Sequence, residues 1–168
     1  MSDFIPAFEA MILNEGGYRL HTVQGDRGGM TYAGIARNAW PHWEGWPSID
    51  RGGEPPADRV RQFYRANFWE AVQGDALLHQ RIAQTLFDFA VNAGARTAVV
   101  LAQSVVGATP DGKVGAKTLA ALNAFDPEKF ILVYALAKIA RYRDIVTRDK
   151  SQLKFLLGWV SRTLKEAA

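Results

Sequence analysis

The opening stretch from Phe4 to Gly17, FIPAFEAMILNEGG, constrains this chain more tightly than any other segment. Phe4, Phe8 and Met11 recur at steps of four and three, the spacing that lines side chains up along one face of a helix. Glu15 is the next position on that stripe. A helix over roughly residues 2 to 15 that buries its apolar face therefore carries a carboxyl group to the edge of the core. Gly16 and Gly17 follow at once, as a helix stop requires. An acid in the last turn opposes the helix dipole, and a residue that breaks a local rule on an apolar stripe marks a place where function competes with stability. The plainer reading is that the glycines merely end a helix and that Glu15 stays in water.

Downstream, Asp26 is followed by Gly28, Gly29 and then Thr31. Burial disfavours the charged form of a carboxyl group, so Glu15 against an apolar face is a candidate proton donor near neutral pH. Glycosidases that work with two carboxyl groups need such a set: an acid for the leaving oxygen and an ionised partner for water or the sugar cation. Asp26 also reads as an ordinary turn residue.

The segment EGGY (15–18) followed by DRGGMTYAGI (26–35) resembles the signature of glycoside hydrolase family 108, the N-acetylmuramidases that include secretion activator proteins. The resemblance implies that Glu15 is the catalytic acid. The order Glu, Asp, Thr, Gly-Ile is also similar to phage-type lysozymes, and by that analogy Asp26 and Thr31 hold the attacking water. The spacing from Glu15 to Asp26 is slightly longer than in the phage enzymes. Arg27 and Ala36 stand where the family usually has Pro and Thr. DGKVGAKTL (111–119), YRANFW (64–69) and FLLGWVSR (155–162) resemble further family segments, the first of them in a C-terminal peptidoglycan-binding-type region, so the likeness spans nearly the whole chain. It implies a lysozyme-like catalytic region over 1–95 and a helical peptidoglycan-binding-type region over 96–168, packed together as one compact unit.

Composition fits that expectation. At 168 residues, 48% hydrophobic and 22% charged, the chain matches an ordinary globular protein with a sizeable core. The N-terminus lacks the basic residues and continuous apolar run of a Sec signal, so synthesis in the cytoplasm and arrival at the wall by release or another export route are expected. With no cysteine, thiol chemistry is excluded. A net charge of +3 suits an anionic polymer, but the cations are scattered, and no basic run or helix-turn-helix pattern supports nucleic acid. His21, His42 and His79 lie far apart, so no metal and no cofactor are expected. Nor does any G-x-S-x-G or P-loop ending occur. The expected partner is bacterial peptidoglycan, met by a monomer that does not insert into membranes.

The remaining pattern is mostly helical. A loop or short hairpin is expected over 18–31, a short helix over 32–39, and a Pro/Gly/Trp-rich loop over 40–56. A helix follows Pro55-Pro56 with Val60, Phe63, Tyr64, Asn67 and Phe68 on one side. Others are predicted over about 75–93, stopping at Gly94, then 97–106, 116–124 and 126–147, the last opened by Asp126-Pro127-Glu128, with a final helix from Ser151. The fold class is mainly α, a lysozyme-like helical domain with a small hairpin or loop lobe after the first helix.

Four residues are candidate substrate contacts, each with a structural alternative. Tyr18 borders the acid or staples the first turn; Trp43, with Trp40 and Trp46, stacks on sugar rings or clamps its loop. Tyr64 faces the cleft or the core, and Asn92 bonds substrate or backbone. Arg162 reads as a packing or ion-pair residue. Cleavage of the β-1,4 bond between N-acetylmuramic acid and N-acetylglucosamine is the expectation. Inversion follows if the two carboxyls lie roughly 6.5–9.5 Å apart, retention at about 5 Å. A lytic transglycosylase, or a non-catalytic wall-binding or secretion-assisting module, are the alternatives; endolysin, prophage and secretion roles all remain open.

Overall fold

The computed structural model describes residues 1–22 and 29–167. Helix α1 (Phe4–Asn14) is capped by Asp3, whose carboxylate accepts from the Ile5 N–H at 2.9 Å, and it buries Phe4, Ala7, Phe8, Met11 and Ile12. Glu15 is its C-cap residue, and Gly16 and Gly17 take positive φ to turn the chain away. Three short strands follow, β1 (Leu20–Thr22), β2 (Met30–Tyr32) and β3 (Ile35–Ala36), paired antiparallel in that order with Leu20 opposite Tyr32 and Tyr32 opposite Ile35.

The helix expected over 32–39 is not formed. Ala33 and Gly34 both have positive φ, 49° and 79°, the geometry of a two-residue hairpin turn. The Ala33 carbonyl is also taken by the Tyr64 hydroxyl at 2.8 Å, which ties the hairpin to a distant helix. The expected loop over 40–56 contains a short helix, α2 (Trp46–Asp50). Its indoles hold it together: Trp46 donates to the Trp40 carbonyl at 2.7 Å and meets Trp43 edge-on at 5.1 Å.

Helix α3 (Ala57–Tyr64) runs on into a π-helical turn, Arg65–Trp69. There the Asn67 side chain donates to the Phe63 carbonyl at 2.8 Å, competing with the α-helical ladder. The widened turn brings both Phe68 and Trp69 inward. The next helix starts later than its pattern suggests. Asp75 accepts from the Trp69 indole, and the Leu77 carbonyl accepts from both the N–H and hydroxyl of Ser2, so this stretch is held as a single 3₁₀ turn and a bend. Helix α4 then spans Gln80–Ala93 and stops at Gly94, and α5 (Ala95–Val106) begins at that corner.

Helices α6 (Ala116–Ala124), α7 (Pro127–Arg148) and α8 (Leu153–Ala167) complete the chain. Asp126 caps α7 as its sequence predicts, accepting from the Lys129 N–H at 2.7 Å. The fold is mainly α, with a three-stranded sheet among the described residues. None of the described helices is long and apolar enough to cross a membrane.

Helix α4 is the axis of the molecule. Its residues Thr85 to Ala90 are all buried, so it packs on every side. Toward the first half, Phe87 meets Phe4 and Trp69; toward the second, Phe89 meets Tyr134 and Tyr142. One apolar core therefore runs through both halves. The loop before α6 is fixed by Gln103, fully buried on α5. Its amide nitrogen donates to Asp111, the Lys113 carbonyl and Thr118 at 2.8, 2.9 and 3.0 Å, and its oxygen accepts from the Gly112 N–H. Gln103→Met fills the same space without those bonds and is expected to cost about 2–4 kcal/mol, read as a lower urea midpoint.

Candidate active site

Glu15 sits where four elements meet. The end of α1 supplies it, its stem lies against Gly34 of the β2–β3 turn, Tyr64 of α3 closes the space behind, and Arg162 of α8 reaches its carboxylate. A Cβ on Gly34 would stand 2.5 Å from the Tyr64 hydroxyl and 3.3 Å from the Glu15 Cβ and Cγ, so the turn approaches this closely only because the residue is glycine. Gly34→Ala adds this clash to an unfavourable φ. It is expected to lower stability by about 1–3 kcal/mol and to displace Glu15, checked by thermal melts and wall-lysis rate.

The Glu15 side chain is 24% exposed, neither sealed in the core nor loose in water. The surroundings differ from the purely apolar ones its stripe suggests: Arg162 Nη1 donates to Glu15 Oε1 at 3.0 Å. The same guanidinium is forked onto Asp88 of α4, Nη2 to Oδ1 at 2.9 Å and Nε to Oδ2 at 3.1 Å. Glu166 lies 3.7 Å from Arg162 Nε and is held in turn by Lys138 of α7 at 2.5 Å, with Thr85 bonded to both. Lys138, almost wholly buried, also lies over the Phe89 and Tyr134 rings at 5.0 Å each.

These contacts set the charges. Burial alone would lower the Arg162 pKa, but the hydrogen bonds and charges of Asp88 and Glu15 outweigh it, so the guanidinium stays a fixed cation. Burial, then the Glu15 charge, raise the Tyr64 phenol well above its usual range and keep it a neutral donor. Burial also pushes Glu166 up to about 7; Lys138 pulls against that rise and Asp88 adds to it. From about pH 4.5 to 7 the folded chain thus holds a proton at Glu166 that the unfolded chain releases, and stability falls as pH rises through this window. Glu166→Gln should gain on the parent protein over the same interval, by up to about 3 kcal/mol, and then level off. Paired melts from pH 4.5 to 8 measure the difference.

The other sequence candidates are not all brought to this point. Thr31 is buried on β2, two residues before the Ala33 carbonyl that holds Tyr64. Asp26 lies outside the described residues. Tyr64 is 1% exposed, a back wall to Glu15 and not an open face. Tyr18 is exposed and lines a hollow of about 370 Å³ against α1 with Glu9, Leu13 and Arg61. Trp43, 8% exposed, borders a pocket of about 460 Å³ with Trp40, His42, Gln62, Phe63 and Asn67. None of Glu15, Thr31 and Tyr18 lines that pocket. Asn92 is exposed near the end of α4. Asp88, Lys138 and Glu166 are not evident as site residues from the sequence. The one signal is Asp88 inside the apolar run LFDFA, since a carboxylate there must find a partner. Among the described residues no cluster of three or more His, Cys, Asp or Glu could hold a metal.

The profile of a family described as Glycosyl hydrolase 108 matches residues 8–94, more than half of the chain. The chain belongs to glycosyl hydrolase family 108. A second profile, described as a predicted peptidoglycan domain, matches residues 97–164. Among solved structures, Brucella abortus SagA is similar over 98% of this chain and 95% of its own, at 27% identity and a TM-score of 0.68. No curated protein matches the chain. In this family-108 chain the acid-bearing helix end, the hairpin and Tyr64 all fall within the first matched segment. Arg162 falls within the second. The matches together point to a peptidoglycan hydrolase of lysozyme type.

Proposed function

We propose that this chain is an N-acetylmuramidase that hydrolyses the β-1,4 bond between N-acetylmuramic acid and N-acetylglucosamine, with Glu15 as the general acid. The observation that carries this reading is the setting of Glu15: a half-sheltered carboxyl at a helix end, backed by a hairpin turn too close for any side chain but hydrogen. Protonated Glu15 gives its proton to the glycosidic oxygen as that bond breaks and positive charge builds on the sugar ring. Water held by Asp26 and Thr31 then attacks the anomeric carbon and loses a proton to Asp26. The result is one bond cleaved and one water consumed. Thr31 suits this task because β2 leads directly into the turn that touches Glu15.

Tyr64 contributes by fixing the hairpin through Ala33, Tyr18 stands at the exposed side of the same helix end, and Trp43 forms part of an aromatic pocket in which Trp40 offers the open face. Asn92, exposed near the end of α4, is the remaining candidate substrate contact. The region over 97–164 engages the wall polymer, and the enzyme acts as a monomer on peptidoglycan in the periplasm or envelope.

Glu15→Gln preserves the hydrogen bond to Arg162 and should leave the melting temperature nearly unchanged while slowing wall lysis by about two to four orders of magnitude. Mass spectrometry of fragments from purified peptidoglycan separates the alternatives. Reducing muramic ends support hydrolysis, anhydro ends would mean a lytic transglycosylase, and uncut polymer would mean a non-catalytic wall-binding or secretion-assisting module.

A further inference from the structure

We propose that Arg162, delivered by the last helix, is the positioning residue that decides how Glu15 presents its proton, so that the C-terminal region completes the active site as well as meeting the wall. This rests on Glu15 being the acid. Among the described residues, Arg162 is the one side chain that hydrogen-bonds to Glu15, and it does so through a single N–H to a single oxygen, at 3.0 Å. The carbonyl oxygen of a carboxylic acid is the better acceptor, so a cationic N–H on Oε1 favours placing the proton on Oε2. Oε2 has no protein partner among the described residues and is the oxygen to present to a glycosidic oxygen.

The arginine can act as a fixed post because it is itself immobilised. Both remaining nitrogens of its fork are bound to Asp88, within the stretch of α4 that is buried on every side. That second carboxylate also shares the positive charge, so Glu15 does not face a whole uncompensated cation. Among the described residues, the charged and titratable groups around this point are Tyr64 from α3, Asp88 from α4, Tyr134, Lys138 and Tyr142 from α7, and Arg162 and Glu166 from α8. The arrangement fits a glycan strand entering on the open side of Glu15 while α8 closes the other.

The test uses two variants of the full chain, with kcat and KM measured separately on soluble glycan fragments and folding checked by circular dichroism. Arg162→Lys keeps a cation but cannot fork onto Asp88 and reach Glu15 together. It should lower kcat about 10- to 100-fold with KM within about threefold. Removing both buried charges together, Asp88→Leu with Arg162→Met, avoids a stranded carboxylate. Here kcat should fall similarly, with KM again within about threefold. A lysine variant with parental kcat overturns the proposal, as does a folded double variant with the parental kcat. If Glu15→Gln abolishes lysis while these variants behave as the parent, only the role of Arg162 fails. If Glu15→Gln retains full activity, the acid assignment fails and this inference with it.

Discussion

The carboxylate of Asp88 is the constraint on which the arrangement depends. It lies within the stretch of α4 from Thr85 to Ala90 that is buried throughout, and an ionised group taken out of water there costs several kcal/mol unless it is paired and hydrogen-bonded. Arg162 meets it with two bonds, which fixes the approach of α8 to α4 to within the geometry of a guanidinium fork. With that edge committed, the remaining nitrogen points to the end of α1 and to Glu15. A requirement of burial in the middle of the molecule thus sets the surroundings of a carboxyl at its edge.

The same logic extends outward from Arg162. Glu166, one turn further along α8, approaches the guanidinium and is balanced by Lys138, which buries its own charge against two aromatic rings and the Thr85 hydroxyl. Three carboxylates and two cations share one partly dry volume, so the proton that burial places on Glu166 near neutrality brings the set toward balance. Helices α1, α4, α7 and α8 are all tied into this cluster, which links the segment matching glycosyl hydrolase 108 to the one matching the peptidoglycan domain. The β2–β3 turn joins through uncharged groups, the Tyr64 bond to the Ala33 carbonyl and the approach of Gly34 to Glu15.

Much of the helical framework was legible because its signals are local. The Phe4–Phe8–Met11 stripe, the Asp126 cap and the stop at Gly94 each depend on residues within a few positions of one another. Errors arose where side chains from afar took over backbone groups. The expected helix over 32–39 is instead a turn whose carbonyl is claimed by Tyr64, and the start of α4 is delayed by Ser2 and by the pairing of Trp69 with Asp75. The tryptophans of the 40–56 loop pack on one another and on Phe63, with Trp40 keeping more exposure than Trp43. No periodicity distinguishes these choices.

Sequence alone determined that a carboxyl closes the first helix on its buried face, that glycines end that helix, and that the chain builds a mainly α fold with a small hairpin. These follow from short-range sterics and hydrophobic spacing, which every unfolded copy already carries. Only the tertiary structure decided what faces that carboxyl. Arg162 is 147 positions away, Asp88 and Gly34 lie on different elements, and their meeting depends on how four helices and a turn pack around one buried charge. Electrostatic partners are fixed by distance in space, and distance in space is set by the whole core.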